Sequence, residues 1–217
     1  MAVKKYEGQK LINGAVDKTV DFLTVEEALQ ININDTAFTV SMRTPGEDTN
    51  LVVGLLYSEG VISDSKFIPD VVQKKVNDAG IITIVNVSIP IEKLGNGYSN
   101  SRSLLSISSC GICGKTELGD LEFTGNKIAE DKKIKIDLIH QLFNTMRISQ
   151  HDFEQSGGTH AAAAFSLTGE MLCSMEDIGR HNAVDKVIGK LIIFHTLDEA
   201  KIITVSGRIS YEIIIKC

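Results

Sequence analysis

The sequence is poor in three features: long apolar runs, cysteine and proline. No apolar run approaches the roughly 20 residues that a membrane-spanning helix requires, and residues 1–10 are polar and hold no hydrophobic segment of a signal peptide. Four cysteines among 217 residues are too few and too unevenly placed for a disulfide scaffold. With 18 glycines and three prolines, the composition is that of a folded protein rather than a disordered or fibrous one. We therefore expect a cytoplasmic protein, without a membrane anchor, whose thiols are reduced.

Acidic side chains outnumber basic ones, with 28 Asp and Glu residues against 22 Lys and Arg residues. This excess opposes non-specific binding to nucleic acid or to an anionic membrane. We therefore expect neither as a partner, although a local site can still bind a small anion. The length suits one large domain or two small ones.

Hydrophobic patterning alternates between strands and helices, which favours a layered α/β fold. The pattern predicts strands at 20–25, 37–42, 81–89, 161–167, 171–175 and 201–205. It predicts helices from Asp48 or Thr49 to just before Gly60, from an N-cap at Asp137, from a second N-cap at Ser149, around 184–192 and from Ile209.

A polar, turn-forming stretch at 95–101 predicts a boundary between two regions. Residues 1–100 form a smaller mixed α+β region, and residues 101–217 form an α/β domain. The last helical pattern is interrupted at Cys217, so we expect a chain truncated at its C-terminus.

The most distinctive motif is the pair of thiols Cys110 and Cys113, each followed by glycine and with Lys115 close by. A nearby cation favours the thiolate, which is the form that attacks sulfur or binds a metal. Such a thiol pair is compatible with four functions: structural zinc, a dithiol redox pair, a phosphate-binding P-loop, and a nucleophilic thiolate that accepts a sulfur or acyl group. In the last, Cys110 attacks and Cys113 assists or resolves.

Two kinds of site are inconsistent with the sequence around the thiol pair. A P-loop requires glycine where Ser109 stands. A zinc deaminase requires an H-x-E motif and a proline before the thiol pair, and the sequence has neither. Zinc remains open, but its further ligands would have to be scattered residues such as Cys173, His160 and His181.

Three other segments combine glycine with charge. Around Arg180 and His181, a predicted helix start can receive an anion such as a phosphate, or it can be a solvated helix end in which His181 pairs with Asp185. Glycines 157 and 158, before Thr159 and His160, either end a helix or allow a ligand to approach the backbone. The turn at 206–208 follows a strand, where α/β sheets place ligands, or it is only a turn with an exposed arginine.

Taken in order, the segments SSCGICGK, GGTHAAA, EDIGRHNAVDKVIG and SGRISYEI resemble the FdhD family, the accessory sulfurtransferases of formate dehydrogenase. The resemblance implies a cytidine-deaminase-like, three-layer C-terminal domain and a homodimer. It also implies a sulfurtransferase that accepts persulfide sulfur from a cysteine desulfurase. That sulfur is passed to the molybdenum cofactor, bis-molybdopterin guanine dinucleotide, which formate dehydrogenase needs.

The resemblance assigns roles to individual residues. Cys110 corresponds to the persulfide carrier and Cys113 to its less essential neighbour, and the protein holds no metal of its own. The positions that face the nucleotide are Gly158, Thr159, His160, Arg180, His181, Ser206 and Arg208. Similar proteins continue past Cys217 with further strands and a cofactor-contacting loop. Two alternatives stay open: a cofactor-binding chaperone in which the thiols have no role, and a zinc-stabilised interaction module.

Overall fold

The computed structural model describes residues 2–100 and 133–217. Within these ranges the strands are β1 (Val3–Ile12), β2 (Ala15–Thr24), β3 (Glu27–Ile33), β4 (Thr36–Arg43), β5 (Asp70–Val76), β6 (Ile82–Ser88), β7 (His160–Phe165), β8 (Met171–Asp177) and β9 (Ile202–Val205). The helices are α1 (Asp48–Ser58), α2 (Asn96–Asn100), α3 (Ile136–Ile148), α4 (His151–Ser156), α5 (Arg180–Ile193) and α6 (Tyr211–Lys216). These elements confirm the mixed α/β class.

Strands β1 and β2 form a two-stranded antiparallel ribbon. A two-residue turn joins them, in which Asn13 and Gly14 have φ values of 50° and 83°. Two successive positive φ angles match the hairpin turn whose twist suits antiparallel strands. Among the described strands no third one joins this ribbon, and none of its residues is buried.

A four-stranded sheet, in the order β4-β3-β6-β5, holds the first hydrophobic core. Strand β3 runs parallel to β6, and the other neighbours are antiparallel. Leu29, Ile31 and Ile33 alternate along β3 and are fully buried, because side chains two apart share one face of a sheet. They pack with apolar residues of α1, such as Leu51 and Leu56.

A three-stranded antiparallel sheet, in the order β8-β7-β9, lies between helices α5 and α3. Four of the six residues of the central strand β7 are alanine, so helices can cover both of its faces. Ala162 and Ala164 belong to the apolar cluster of α5. Ala163 and Phe165 belong to the cluster of α3, which includes Leu142.

Helices α1 and α5 join the two sheets by direct backbone contact at Gly54 and Gly189. A Cβ atom added at Gly189 would fall well inside van der Waals contact of the Asn50 carbonyl oxygen, and one added at Gly54 would do the same with Asp185 O. Only glycine allows two helix backbones to approach so closely. The helix pair therefore lies between the two sheets as a shared layer.

Most of the predicted elements are confirmed. Helix α1 begins at Asp48 and is followed by Gly60 with a φ of 66°, as expected of a residue that ends a helix. The predicted hairpin at 161–175 is observed as β7 and β8, with Gly169 in its turn at a φ of 90°. The division between residues 100 and 101 stays a prediction.

Three local predictions are wrong. Residues 96–100 form the short helix α2 rather than only a turn. Helix α3 is preceded by Lys135, so Asp137 lies in its first turn instead of capping it. Ser149 does not cap α4, because its hydroxyl donates to Met146 O at the end of α3, 2.7 Å away.

In the two described stretches, no helix has both the length and the apolar content needed to cross a membrane.

Candidate functional site

Three of the predicted site segments meet at one end of the β8-β7-β9 sheet. His160 opens β7, Arg180 opens α5, and Ser206 follows β9. The Ala161 N–H donates to Ser206 Oγ at 2.9 Å, and the Ser206 N–H donates to Ala161 O, which fixes the turn against β7. A Cβ atom at Gly207 would lie 3.2 Å from His160 Nδ1 and 3.4 Å from Arg180 Cβ. Glycine at 207 therefore allows this turn to pack closely against both side chains.

A cleft of about 500 Å³ lies between strand β4 and the starts of α5 and α6. Its described lining includes three of the predicted residues, His160, Arg180 and His181. The other ionisable side chains of the lining are Glu26, Glu59, Asp185, Glu212 and Lys216. Basic and acidic groups thus face the same cleft.

A second cleft, of about 430 Å³, shares His160 with the first. Gly158, Thr159 and Ser206 line it, together with Arg147. Arg208 is exposed and lines neither cleft, so its nucleotide-facing role stays a prediction. The predicted residues therefore divide between two neighbouring clefts.

Thr159 has a structural contact of its own. The side chain is buried, and its hydroxyl donates to Glu176 Oε1 at 2.7 Å. The same carboxylate accepts the N–H groups of Asp152 and Phe153 at the start of α4, at 2.9 and 2.8 Å. Glu176 thus satisfies helix donors that have no partner within the helix. Its role was missed from sequence because it comes from strand β8 rather than from a local cap.

A buried ion pair positions the start of α5. Lys186 Nζ lies 2.8 Å from Asp177 Oδ2, and their side chains are 2% and 0% exposed. Asp177 also accepts the Gly179 N–H at 2.8 Å and the Thr44 N–H at 3.1 Å. Asn182 donates to the same carboxylate and to Met42 O. The carboxylate therefore connects the loop after β4 to the helix start that presents Arg180 and His181.

Of the two alternatives for this helix start, the solvated helix end in which His181 pairs with Asp185 is wrong. His181 Nε2 lies 2.8 Å from Glu212 Oε2 on α6. Asp185 is buried and accepts Lys216 Nζ at 2.9 Å and Ser58 Oγ at 2.7 Å. Both residues therefore find partners in other helices instead of one turn away.

The protonation state of His181 is set by opposing influences. Burial favours the neutral ring most, and the neighbouring cations Arg180 and Lys216 favour it further, whereas the Glu59 carboxylate favours the charged imidazolium. Together they lower the pKa of His181 to about 4. The ring is therefore neutral at neutral pH, and Nε2–H donates to the Glu212 carboxylate.

This pKa predicts how stability depends on pH. The pKa is lower in the folded protein than the ordinary value of 6.5, so the unfolded chain binds the proton first as pH falls. The stabilising contribution of His181 is present above 6.5 and is lost between 6.5 and about 4. An NMR titration, with the resonance assigned by a His181→Gln variant, should show no protonation until pH approaches 4. A midpoint at or above 6.5 would contradict the neutral ring.

The predicted sulfur-carrying residues, Cys110 and Cys113, lie outside the described residues, as does Lys115. Of the described cysteines, Cys173 is half-buried, and burial raises its pKa to about 11. Cys173 is therefore a thiol at neutral pH and a poor nucleophile. In the part of the chain that the structure covers, no group of three or more His, Cys, Asp or Glu side chains is placed to hold a metal ion.

Comparison with known proteins gives a consistent result. Residues 24–217 match the model of the FdhD/NarQ family. The "Sulfur carrier protein FdhD" of Sulfolobus acidocaldarius is 37% identical over 100% of this chain and 80% of the relative. Its namesake in Saccharolobus solfataricus is 38% identical over 99% of this chain and 79% of the relative.

A solved structure has the same overall fold. It is a crystal structure from Desulfotalea psychrophila, described as that of a formate dehydrogenase accessory protein. It matches with a TM-score of 0.73 and 19% identity, over 100% of this chain and 79% of that one.

Proposed function

Because this chain belongs to the FdhD/NarQ family, we propose that it is a cytoplasmic sulfurtransferase that transfers persulfide sulfur on Cys110. The donor is a cysteine desulfurase, and the acceptor is bis-molybdopterin guanine dinucleotide on its way to formate dehydrogenase. The observation that supports this most is the similarity to proteins named sulfur carriers, since it covers the whole chain and so includes Cys110 and Cys113. The cytidine-deaminase-like architecture and the homodimer belong to the same proposal.

The first step is thiol–persulfide exchange. The Cys110 thiolate attacks the outer sulfur of the donor persulfide, the sulfur–sulfur bond of the donor breaks, and the donor cysteine leaves as a thiolate. Exchange requires a deprotonated attacker, and Lys115 favours that form. Cys113 stands three residues away and assists or resolves the persulfide. Cys173 is unsuited to the role because of its raised pKa.

The described residues support a nucleotide site for the acceptor. A cleft of about 500 Å³ lies within the size range of small-molecule pockets. At its edge, the Arg180 guanidinium and the N-terminus of α5 suit a phosphate. The carboxylates that face the same cleft, Glu59 and Glu212 among them, can accept the N–H donors of a guanine base. His181 contributes hydrogen bonding rather than charge, because its ring is neutral at neutral pH.

The second cleft extends this site. It adjoins the first at His160 and adds Gly158, Thr159 and Ser206. Because the cofactor contains two guanine nucleotides, we assign one nucleotide to the start of α5 and the other to the side of Gly158 and Arg208. The fold and the site together thus suit a long, anionic ligand that contacts two adjoining clefts.

Persulfide formation on Cys110 is the direct test. After incubation with a cysteine desulfurase and cysteine, mass spectrometry should show a gain of about 32 Da, one sulfur atom, on the Cys110 peptide. Cys110→Ala should abolish the transfer of sulfur, whereas Cys173→Ser should retain it, because Cys173 is a poor nucleophile.

Two outcomes would count against the proposal. One is an unmodified Cys110 peptide while the desulfurase is active. The other is a Cys110→Ala variant that still activates formate dehydrogenase while Arg180→Ala does not. The second outcome would identify a cofactor-binding chaperone, the alternative that the two clefts also suit.

A further inference from the structure

The ribbon formed by β1 and β2 exposes an unusual amount of apolar surface. Each strand has ten residues, and neither contains a buried one. Seven large apolar side chains are at least two-fifths exposed: Tyr6 (56%), Leu11 (70%), Ile12 (46%), Val16 (60%), Val20 (49%), Phe22 (41%) and Leu23 (49%). A two-stranded ribbon is marginally stable in water, and three or more strands are needed for a sheet that is stable alone. Within the described residues the ribbon therefore has fewer strands than a stable sheet needs, and a partner can supply more.

The outer edge of β1 is the surface open to such a partner. Ile12 and Ala15 close the two-residue turn, and in such hairpins the closing pair is hydrogen-bonded. Even-numbered residues of β1 therefore bond to β2, while odd-numbered ones direct their N–H and C=O groups outward. The other edge, on β2, is approached by α4, where Thr24 Oγ1 lies 2.8 Å from Ser156 Oγ. No described strand pairs with this edge, and an unpaired edge of this length is a template for another strand.

We propose that β1 pairs with β1 of a second copy of this chain, antiparallel and about a twofold axis at Tyr6. The product is a four-stranded sheet in the order β2-β1-β1-β2, with one ribbon from each copy. Such an interface is isologous, so every contact occurs twice.

Charge complementarity favours a second copy of this chain as the partner, and it favours one alignment of the two β1 strands. With Tyr6 on the axis, Lys5 of each copy stands directly opposite Glu7 of the other, in a pair whose backbone groups point outward. Moving the axis to Lys5 or to Glu7 would place like charges opposite each other, and moving it to Gly8 would pair neither charge. Directly opposed unlike charges stabilise a strand pair, and like charges destabilise it. The sequence of β1 is therefore complementary to itself in one register only.

The residue on the axis suits its position. Tyr6 bonds inward to β2, so the two copies of Tyr6 form a non-hydrogen-bonded pair, in which side chains come closest. Aromatic pairs at such positions add stability. The Tyr6 ring lies over Gly8, which is on the same face of β1, since a Cβ atom added at Gly8 would be 3.1 Å from Tyr6 Cε1. Gly8 thus leaves room for two rings at the centre of the sheet.

This inference depends on the homodimer named in the proposed function and on no other part of that proposal. Persulfide formation on Cys110 is measured separately. A failure of dimerisation and a failure of sulfur transfer are therefore distinct results.

Charge reversal tests the register in solution. Analytical ultracentrifugation of the full chain, over a micromolar concentration series, should give a dimer. Glu7→Lys and Lys5→Glu should each raise the dissociation constant by about tenfold or more, because each variant opposes like charges at two sites. The double variant Lys5→Glu/Glu7→Lys should recover the dimer, which excludes misfolding as the cause. Lys18→Glu, on the outer strand β2, is the matched control and should dimerise as the unaltered chain does.

Cross-linking tests the axis. Oxidised Tyr6→Cys should form an intermolecular disulfide between the two copies of residue 6, identified by mass spectrometry, because the axis brings these residues together. Thr19→Cys, on β2, should not form one. An unaltered chain that stays monomeric would overturn the proposal and leave the ribbon to a different protein. A dimer unaffected by either single charge reversal would overturn it as well.

Discussion

Replacing Gly189 with alanine is expected to lower the free energy of unfolding by about 3 kcal/mol, despite the higher helix propensity of alanine. In an isolated helix the change would stabilise by about 1 kcal/mol. Here the new methyl group would overlap the Asn50 carbonyl on α1, so the two helices must separate and lose contacts along their whole length. Overpacking therefore outweighs propensity. The midpoint of chemical denaturation measures the difference.

A matched control separates the contact from the residue type. Asn144→Ala places alanine on the exposed side of α3 and should leave stability unchanged or slightly improved. Gly54→Ala should destabilise like Gly189→Ala, and the double variant should lose less than the sum, because helices that are already apart do not clash again. A Gly189→Ala variant as stable as the unaltered chain would show that the helices do not touch at this point.

The second large effect is expected at Asp177. Changing it to alanine leaves the Lys186 ammonium buried without its carboxylate and frees the Gly179 and Thr44 N–H groups. Breaking a buried ion pair from one side costs about 3–5 kcal/mol. Denaturation should therefore begin at much lower denaturant concentration, with the start of α5 among the regions that lose protection from hydrogen exchange.

Burial, rather than distance, is the variable under test. Asp64 and Lys93 form a pair at 2.9 Å, close to the 2.8 Å of Asp177 and Lys186, but both side chains are more than two-fifths exposed. Asp64→Ala should therefore have a far smaller effect. Adding Lys186→Met to Asp177→Ala should recover part of the loss, since no unpaired cation is then buried. Equal losses for Asp64→Ala and Asp177→Ala would contradict this explanation.

Sequence reasoning succeeded where the structure depends on neighbouring residues. The start of α1 at Asp48, the turn at Gly169 and the helical spacing of α5 are local, so pattern and glycine placement predict them. The site segments around His160, Arg180 and Ser206 were identified in the same way, and the structure brings them together at one end of a sheet.

Sequence reasoning failed where a side chain has several potential partners from different parts of the chain. His181 could pair with Asp185 on its own helix, but Glu212 approaches from α6. Asp177 reads as one of several charges near a helix start, yet it is fully buried by the loop after β4. Packing between distant segments decides these partners, and periodicity carries no information about it.

The backbone contact of Gly54 with Gly189 has a mechanical consequence. One wall of the larger cleft is built on β4 and the other on α5, and the crossing helices join these walls without intervening side chains that could slide. Two hydrogen bonds also connect these walls. Asn182 donates to the carbonyl of Met42, and Lys186 donates to the carbonyl of Thr44. Among the described residues these contacts oppose a hinge between the two walls, so we expect a ligand to enter the cleft from its rim.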